Sequence, residues 1–243
     1  MPAGARGTGS TRARLRRGFA VVALAILAIG AGTAMALYAS LPGVADAGQR
    51  VSALLGHRER VAGSALPRRV SEALVAVEDE RYWHHGAVDP VAVGRALIDG
   101  IAHPGRDPGG STIAQQLAKL LYPDGDGGMP AVLRSVGLAF KLEHRYSKAQ
   151  ILAMYLNSVY LGHGHRGVAD ASRGYFATAP ERLTWGEASL LAGLPQAPSA
   201  DDPVLHFARA RVRQRAVLRR LVADHDLTPA QAAAAYRHTP HPR

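Results

Sequence analysis

The 243-residue chain has no cysteine, which excludes a disulfide framework and any thiolate metal site. It has no acidic residue before Asp46 and no charge of either sign from Phe19 to Ala39. No alternating apolar–polar pattern of the kind that marks half-buried strands runs through it, and no segment repeats, so all-β and solenoid architectures are not expected. An H-E-x-x-H motif is also missing. His84-His85 and His163/His165 have no evident third carboxylate ligand, so no metal site is expected.

The uncharged run is rich in Ala, Val, Leu and Ile and is about twenty residues long, enough to cross a hydrocarbon core of roughly 30 Å as a helix. Arg6, Arg12, Arg14, Arg16 and Arg17 precede it, so the positive-inside rule leaves residues 1–18 in the cytoplasm, makes 19–40 a transmembrane helix and exports the rest. The competing reading is a signal peptide cleaved near Ala36 to Ser40, although the run is longer than the usual apolar region of such a peptide. Net charge is +10; with those five arginines set aside, the exported part keeps about +5, which suits anionic headgroups or a pyrophosphate. Export separates this basic surface from DNA, so no nucleic-acid partner is expected.

With 47% hydrophobic residues the remainder supports one sizeable core. Residues 41–67 open with Pro42-Gly43, show weak periodicity and read as a juxtamembrane linker with a short helix. From Arg68 onward the signals are helical, with capping boxes at Ser147/Gln150, Thr184/Glu187 and Thr228/Gln231. Pro123 to Gly128 reads as a loop, and 222–243 as a short helix with a His/Pro-rich tail. Trp83 and Trp185 are expected in the core or an interface, and Arg209 to Arg220 as a solvated helix face turned towards anionic lipid. The fold expected is mainly α.

Two segments carry chemistry. In VEDERYWHHG (Val77 to Gly86), Val70, Leu74 and Val77 mark the buried stripe of a helix. Glu78 falls at its edge, where lost solvation raises a carboxylate's pKa into the range of a general acid or base. A solvated cluster of mixed charge is the plainer alternative. In GGSTIAQQLAK (Gly109 to Lys119) two glycines lead into a Thr112/Gln115 capping box. Thr112, Gln116 and Lys119 share a polar face, with Ile113, Leu117 and Leu120 on the core-facing side. Glycines, helix-start N–H groups and an aligned lysine suit a phosphate. The alternative is an ordinary amphipathic helix behind a tight turn.

Together these segments resemble the family 51 glycosyltransferases, the peptidoglycan polymerases that act on lipid II. Glu78, Asp79, Tyr82 and His85 match the family's E-D-x-x-F-x-x-H-x-G, with Tyr82 for phenylalanine and Ala87 for the final glycine. Gly109, Ser111, Thr112, Ile113, Gln115, Gln116, Leu117 and Lys119 match G-x-S-T-I-T-Q-Q-L-x-K, with Ala114 for threonine. Ser147 to Gly162, Gly167 to Ser199 and Arg211 to Leu221 resemble later family segments, with Ala153 at a family glutamate. The resemblance places the glycosyltransferase domain at 68–221. In the third motif, AVLRSVGLAFKLE (Ala131 to Glu143), Ser135 stands where the family carries its second important glutamate, and Arg134 remains beside it. Glu143 lies eight residues on, about 80° round the helix, a poor position from which to replace it.

The resemblance implies a lysozyme-like helical lobe with a membrane-proximal jaw at Val91 to Pro108, whose Val91, Val93, Leu97, Ile98 and Ile101 either dip into the bilayer surface or fill a core. It implies Glu78 and Asp79 as catalytic residues, and Tyr82, His85, Gly109, Ser111, Thr112, Gln116, Lys119, Arg134 and Ser135 as substrate-binding residues. The partners implied are lipid II, the nascent glycan strand, the bacterial inner membrane and other cell-wall synthesis proteins. No cofactor is required, although a divalent cation, magnesium or manganese, fits the family chemistry. Residues 222–243 leave no room for the transpeptidase domain of bifunctional relatives, so a monofunctional polymerase is expected. A homologue that binds lipid II or glycan for a partner is the alternative that Ser135 favours; a lysozyme-like hydrolase with Glu78 as acid is a third, which the anion site argues against.

Overall fold

The computed structural model describes residues 8–61, 66–102, 109–123 and 128–243. They fall into two units, Met1–Pro42 and Gly43–Arg243.

The first unit is helix α1 (Thr8–Ser40). Within it Val22–Ser40, 19 residues with mean hydropathy 2.0, is long and apolar enough to cross a membrane. Leu24, Ile26, Leu27 and Ile29 are exposed on successive faces, as a helix solvated by lipid requires. The expected span at 19–40 is thus the C-terminal part of a longer helix.

The second unit is helical, with one isolated bridge, Tyr160 to Arg166, as the β feature among its described residues. Its helices are α2 (Ala47–Leu55), α3 (Arg68–Glu78), α4 (Pro90–Ala102), α5 (Ile113–Leu121), α6 (Met129–Arg145), α7 (Lys148–Ser158), α8 (Val168–Phe176), α9 (Trp185–Ala192), α10 (Phe207–Ala223) and α11 (Pro229–Arg237). α5 packs between α6 and α7, while α3, α9 and α10 pack on one another and α11 covers α9 and α10. The capping boxes expected at Ser147, Thr184 and Thr228 all form, with both reciprocal bonds present. Each such cap contributes about 1 kcal/mol.

Several expectations are corrected. The segment read as a linker is part of the lobe. α2 buries Ala47, Val51 and Leu55, an i, i+4, i+8 stripe, and packs on α7 and α5. Tyr122 Oη donates to Asp46 Oδ1 at 2.8 Å, and the buried Asn157 amide holds both the N–H and the carbonyl of Val61 at 2.8 and 3.0 Å. Three apolar residues over so short a helix leave little periodicity to read. The arginines of α10 are only in part a solvated face: Arg209, Arg215, Arg219 and Arg220 are exposed, but Arg211 stacks on Tyr236 at 3.5 Å, Arg213 donates to the Gly193 carbonyl at 3.3 Å, and Arg220 pairs with Glu80 at 2.7 Å. The C-terminal tail docks too, with Gln214 donating to Thr239 Oγ1 at 2.7 Å and Arg243 N to the Tyr175 carbonyl at 3.1 Å. Trp83 is 52% exposed, which removes the core half of its expected placement. On α4, Val91, Val93 and Ile98 are exposed, which removes the core-filling reading for those three; the side chains of Leu97 and Ile101, residues 103–108 and most of the glycine-rich loop lie outside the described residues.

Asn157→Ala strips two buried backbone groups of Val61 of their partners, at about 1–3 kcal/mol each. The variant is expected to lose roughly 3 kcal/mol of stability, read as a lowered denaturant midpoint in detergent micelles. A midpoint equal to that of the parent would show that Val61 is not held by Asn157.

Candidate active site

α3 ends at Glu78, and the chain turns at Asp79 because that carboxylate is occupied elsewhere. Asp79 Oδ1 lies 2.6 Å from His85 Nε2, and Oδ2 accepts the Ile113 N–H at 3.0 Å. Both side chains are almost wholly buried, at 4% and 3% exposure. A buried carboxylate needs such partners, and here they tie the end of α3 to the first turn of α5. Thr112 caps α5 as expected, its Oγ accepting the Gln115 N–H at 3.2 Å. The capping box itself does not close: the Gln115 amide turns instead to the Ala87 carbonyl at 3.2 Å, joined there by Thr112 Oγ at 2.9 Å. The helix-start N–H of Ile113, expected to cradle a phosphate, is therefore spent on Asp79. The buried stripe of α5 runs through Ile113, Leu117 and Leu121, with Leu120 only half-buried.

Clamping α3 to α5 brings Glu78 against Gln116, whose Nε2 donates to Glu78 Oε2 at 2.8 Å. Behind it Tyr155 of α7 donates to Gln116 Oε1 at 2.8 Å, which fixes which end of the amide faces the carboxylate. Burial raises the Glu78 pKa, an effect only partly offset by the Gln116 hydrogen bond and the charge of Arg213. A carboxylate whose pKa is raised in this way suits general acid–base chemistry.

Glu78, Gly109, Ser111 and Thr112 line a cleft of about 370 Å³, together with Glu80, Asp89, Arg95, Asp99, Gly110 and Arg220. Gly110 has φ +93, a conformation that favours glycine, and a Cβ there would lie 3.4 Å from Ala96 Cβ and 3.5 Å from the Ala92 carbonyl oxygen on α4. Lys119, Arg134 and Ser135 line a separate pocket of about 150 Å³ between α5 and α6. Lys119 Nζ reaches Ser111 Oγ at 3.3 Å, so one contact links the two cavities. Ser135 is buried and donates to the Val132 carbonyl at 2.8 Å. Glu143 is paired with Lys148 at 2.8 Å and does not line the pocket that Ser135 faces.

Three residues expected to touch substrate line neither cavity: Gln116, whose amide is spent on Glu78 and Tyr155, together with Tyr82 and His85. Tyr82 is fully buried, its hydroxyl donating to the Lys148 carbonyl at 2.6 Å and its ring beneath the Lys148 ammonium at 4.3 Å. His85 is buried against Asp79. Both shape the loop that carries Glu78. Residues not singled out from the sequence are Glu80, Arg95, Arg213 and Tyr155. The last two sit in segments that resemble the family, but no local pattern points them at Glu78.

The model of the transglycosylase family matches residues 48–222. The chain belongs to that family. It is 40% identical over 183 residues to penicillin-binding protein 1F of Bacillus subtilis, covering 75% of this chain and 26% of that one. It is 39% identical over 190 residues to penicillin-binding protein 1A of Aquifex aeolicus, covering 77% and 26%. A protein of Cupriavidus necator described as a transglycosylase is 40% identical over 157 residues, 65% of this chain and 68% of that one. The chain thus spans about a quarter of the length of the two penicillin-binding proteins. The match starts within α2, in keeping with that helix being part of the lobe.

Because burial raises the Glu78 pKa, the folded chain holds that proton more tightly than the unfolded chain. Stability therefore falls as pH climbs from the unfolded carboxylate value, about 4.3, through the raised native value. Glu78→Gln should melt above the parent at pH 7 and level with it below about pH 4. Coincident melting curves across that range would show that Glu78 bears no desolvation cost.

Proposed function

We propose that this chain is a peptidoglycan glycosyltransferase that polymerises lipid II into glycan strands and releases undecaprenyl pyrophosphate. The observation that carries the reading is Glu78: a desolvated carboxylate, aimed by Gln116 and Tyr155, at a cleft whose Ser111 touches Lys119. The 4-hydroxyl oxygen of one lipid-linked disaccharide attacks the anomeric carbon of the growing chain. Glu78 takes the hydroxyl proton as the new bond forms, and the bond to the pyrophosphate oxygen breaks with its electron pair. Lys119 and Arg134 neutralise the departing charge. Asp79 acts by position, holding α3 and α5 together through Ile113 and His85.

The donor set does not fit a protein-bound divalent cation: no group of three or more His, Asp or Glu side chains converges among the described residues. Asp79 and Asp89 are committed to backbone N–H groups and to His85 or Arg81. No step is routed through a metal. The N-terminal helix anchors the enzyme in the bacterial cytoplasmic membrane with its arginine-rich end inside and the lobe outside. The exposed Val91, Val93 and Ile98 of α4 suit contact with the lipid surface.

Ser135 is what favours the second reading, a homologue that binds lipid II for a partner. Its pocket has room, among the described residues, for a longer side chain. Incubating the purified chain with lipid II and separating the products on a gel tests both readings. Glu78→Gln should abolish strand formation while the chain stays folded, and strands at the parent's rate would remove Glu78 as the base. Ser135→Glu should raise turnover by roughly a hundredfold, the size of effect commonly seen for electrostatic groups at such sites. No strands from either the parent or a folded Ser135→Glu chain, with lipid II still bound, would establish the binding reading instead.

A further inference from the structure

Away from the cleft, α10 and α11 leave an apolar groove of about 390 Å³ between them. Leu218 and Val222 line it from α10, and Pro229, Ala232 and Ala233 from α11. Its rim is basic. Arg215 and Arg219, both exposed, stand four residues apart on α10, about 6 Å along the axis. Neither is in an ion pair among the described residues. Arg215 donates to Tyr236 Oη at 2.9 Å, its guanidinium 4.9 Å from the ring centre, while the Arg219 side chain has no hydrogen-bond partner among the described residues. No carboxylate lines the groove. Arg215 lies about 140° round α10 from Arg220, so this face is separate from the one that borders the Glu78 cleft.

An apolar floor with a tyrosine and unpaired arginines at its edge, and neither lysine nor acid, has the composition of a protein interface. Two neighbouring alanines on α11 leave space for a third helix to lie close. A second copy presenting the same face would set arginine against arginine, which argues against self-association. The complement is acidic. Carboxylates at i and i+4 of a helix lying along α10 repeat the spacing of the two arginines, and the apolar stripe beside them fills the groove.

We propose that the groove between α10 and α11 is a docking site for an amphipathic helix of a partner protein, one that carries acidic residues at i, i+4 along its apolar stripe. The apolar stripe supplies the affinity, and Arg215 and Arg219 set register and partner choice.

The chain has no cysteine, so Ala230→Cys, exposed and next to Pro229, carries a single environment-sensitive fluorophore. The probe is a synthetic amphipathic helix of about 18 residues, leucine on one face and glutamate at i, i+4 along its border. It is titrated into the full labelled chain in micelles of an uncharged detergent. Arg219→Glu should weaken binding about tenfold, the equivalent of one charge-assisted pair. Ala233→Trp, which fills the groove from an exposed position, should abolish it. A peptide with lysine for glutamate should ignore the parent and bind the Arg215→Glu/Arg219→Glu chain. No response to the glutamate peptide, or equal affinity for the parent and Arg219→Glu, would overturn the proposal. So would a response to phosphatidylglycerol in the micelles but not to peptide, which would make the groove a lipid site. A signal that grows with the chain's own concentration in the absence of peptide would make it a self-contact, with the same consequence.

Discussion

The site depends on one buried carboxylate. Asp79 joins His85 to the first N–H of α5, and it does so where water cannot compete. Removing either partner would leave an uncompensated charge in the core, which costs several kcal/mol and is not tolerated cheaply. That penalty makes the link stiff. It fixes where α3 stops, and hence where Glu78 points. It also spends the Ile113 N–H, a helix-start donor that would otherwise await an anion.

With α3 and α5 so joined, Glu78 is positioned from behind rather than from the cleft. Tyr155 orients Gln116, and Gln116 orients Glu78. A hydrogen bond to a carboxylate normally lowers its pKa, as does the nearby charge of Arg213, yet burial outweighs both. A carboxylate that keeps basicity while held in one orientation is suited to accept a proton. The cost of keeping it desolvated is carried by the surrounding core of α3, α5 and α7.

The lobe divides its polar groups into two compartments. Glu78 and the glycines face the larger cleft; Lys119, Arg134 and Ser135 face the smaller pocket, with the Lys119 to Ser111 contact between them. Arg95 and Arg220 line the larger cleft as well, so cations border both compartments. Ser135 is buried against the Val132 carbonyl and brings no carboxylate to the smaller pocket. α10 contributes more to this arrangement than its arginine-rich sequence suggests, because Arg220 and Arg213 are engaged inwards.

Much of this was legible in the residues themselves. The uncharged run of 19–40, the helix starts at Ser147, Thr184 and Thr228, the cap at Thr112 and the position of Glu78 at an apolar border all follow from local physics: caps and stripes act within a few residues of chain. The sequence likewise pointed to the family and to Ser135 as its departure. What only the tertiary structure decided are pairings across long chain separations. Val61 with Asn157, Asp79 with Ile113, Tyr155 with Gln116 and Glu80 with Arg220 join residues that no periodicity relates. Tyr82 and His85 belong to the same class, since motif position could not distinguish a residue that touches substrate from one buried behind it. The physical reason is that burial belongs to the packed whole: whether a polar side chain faces a cleft or a neighbour is set by which helices close over it, and that is written nowhere in its own few residues.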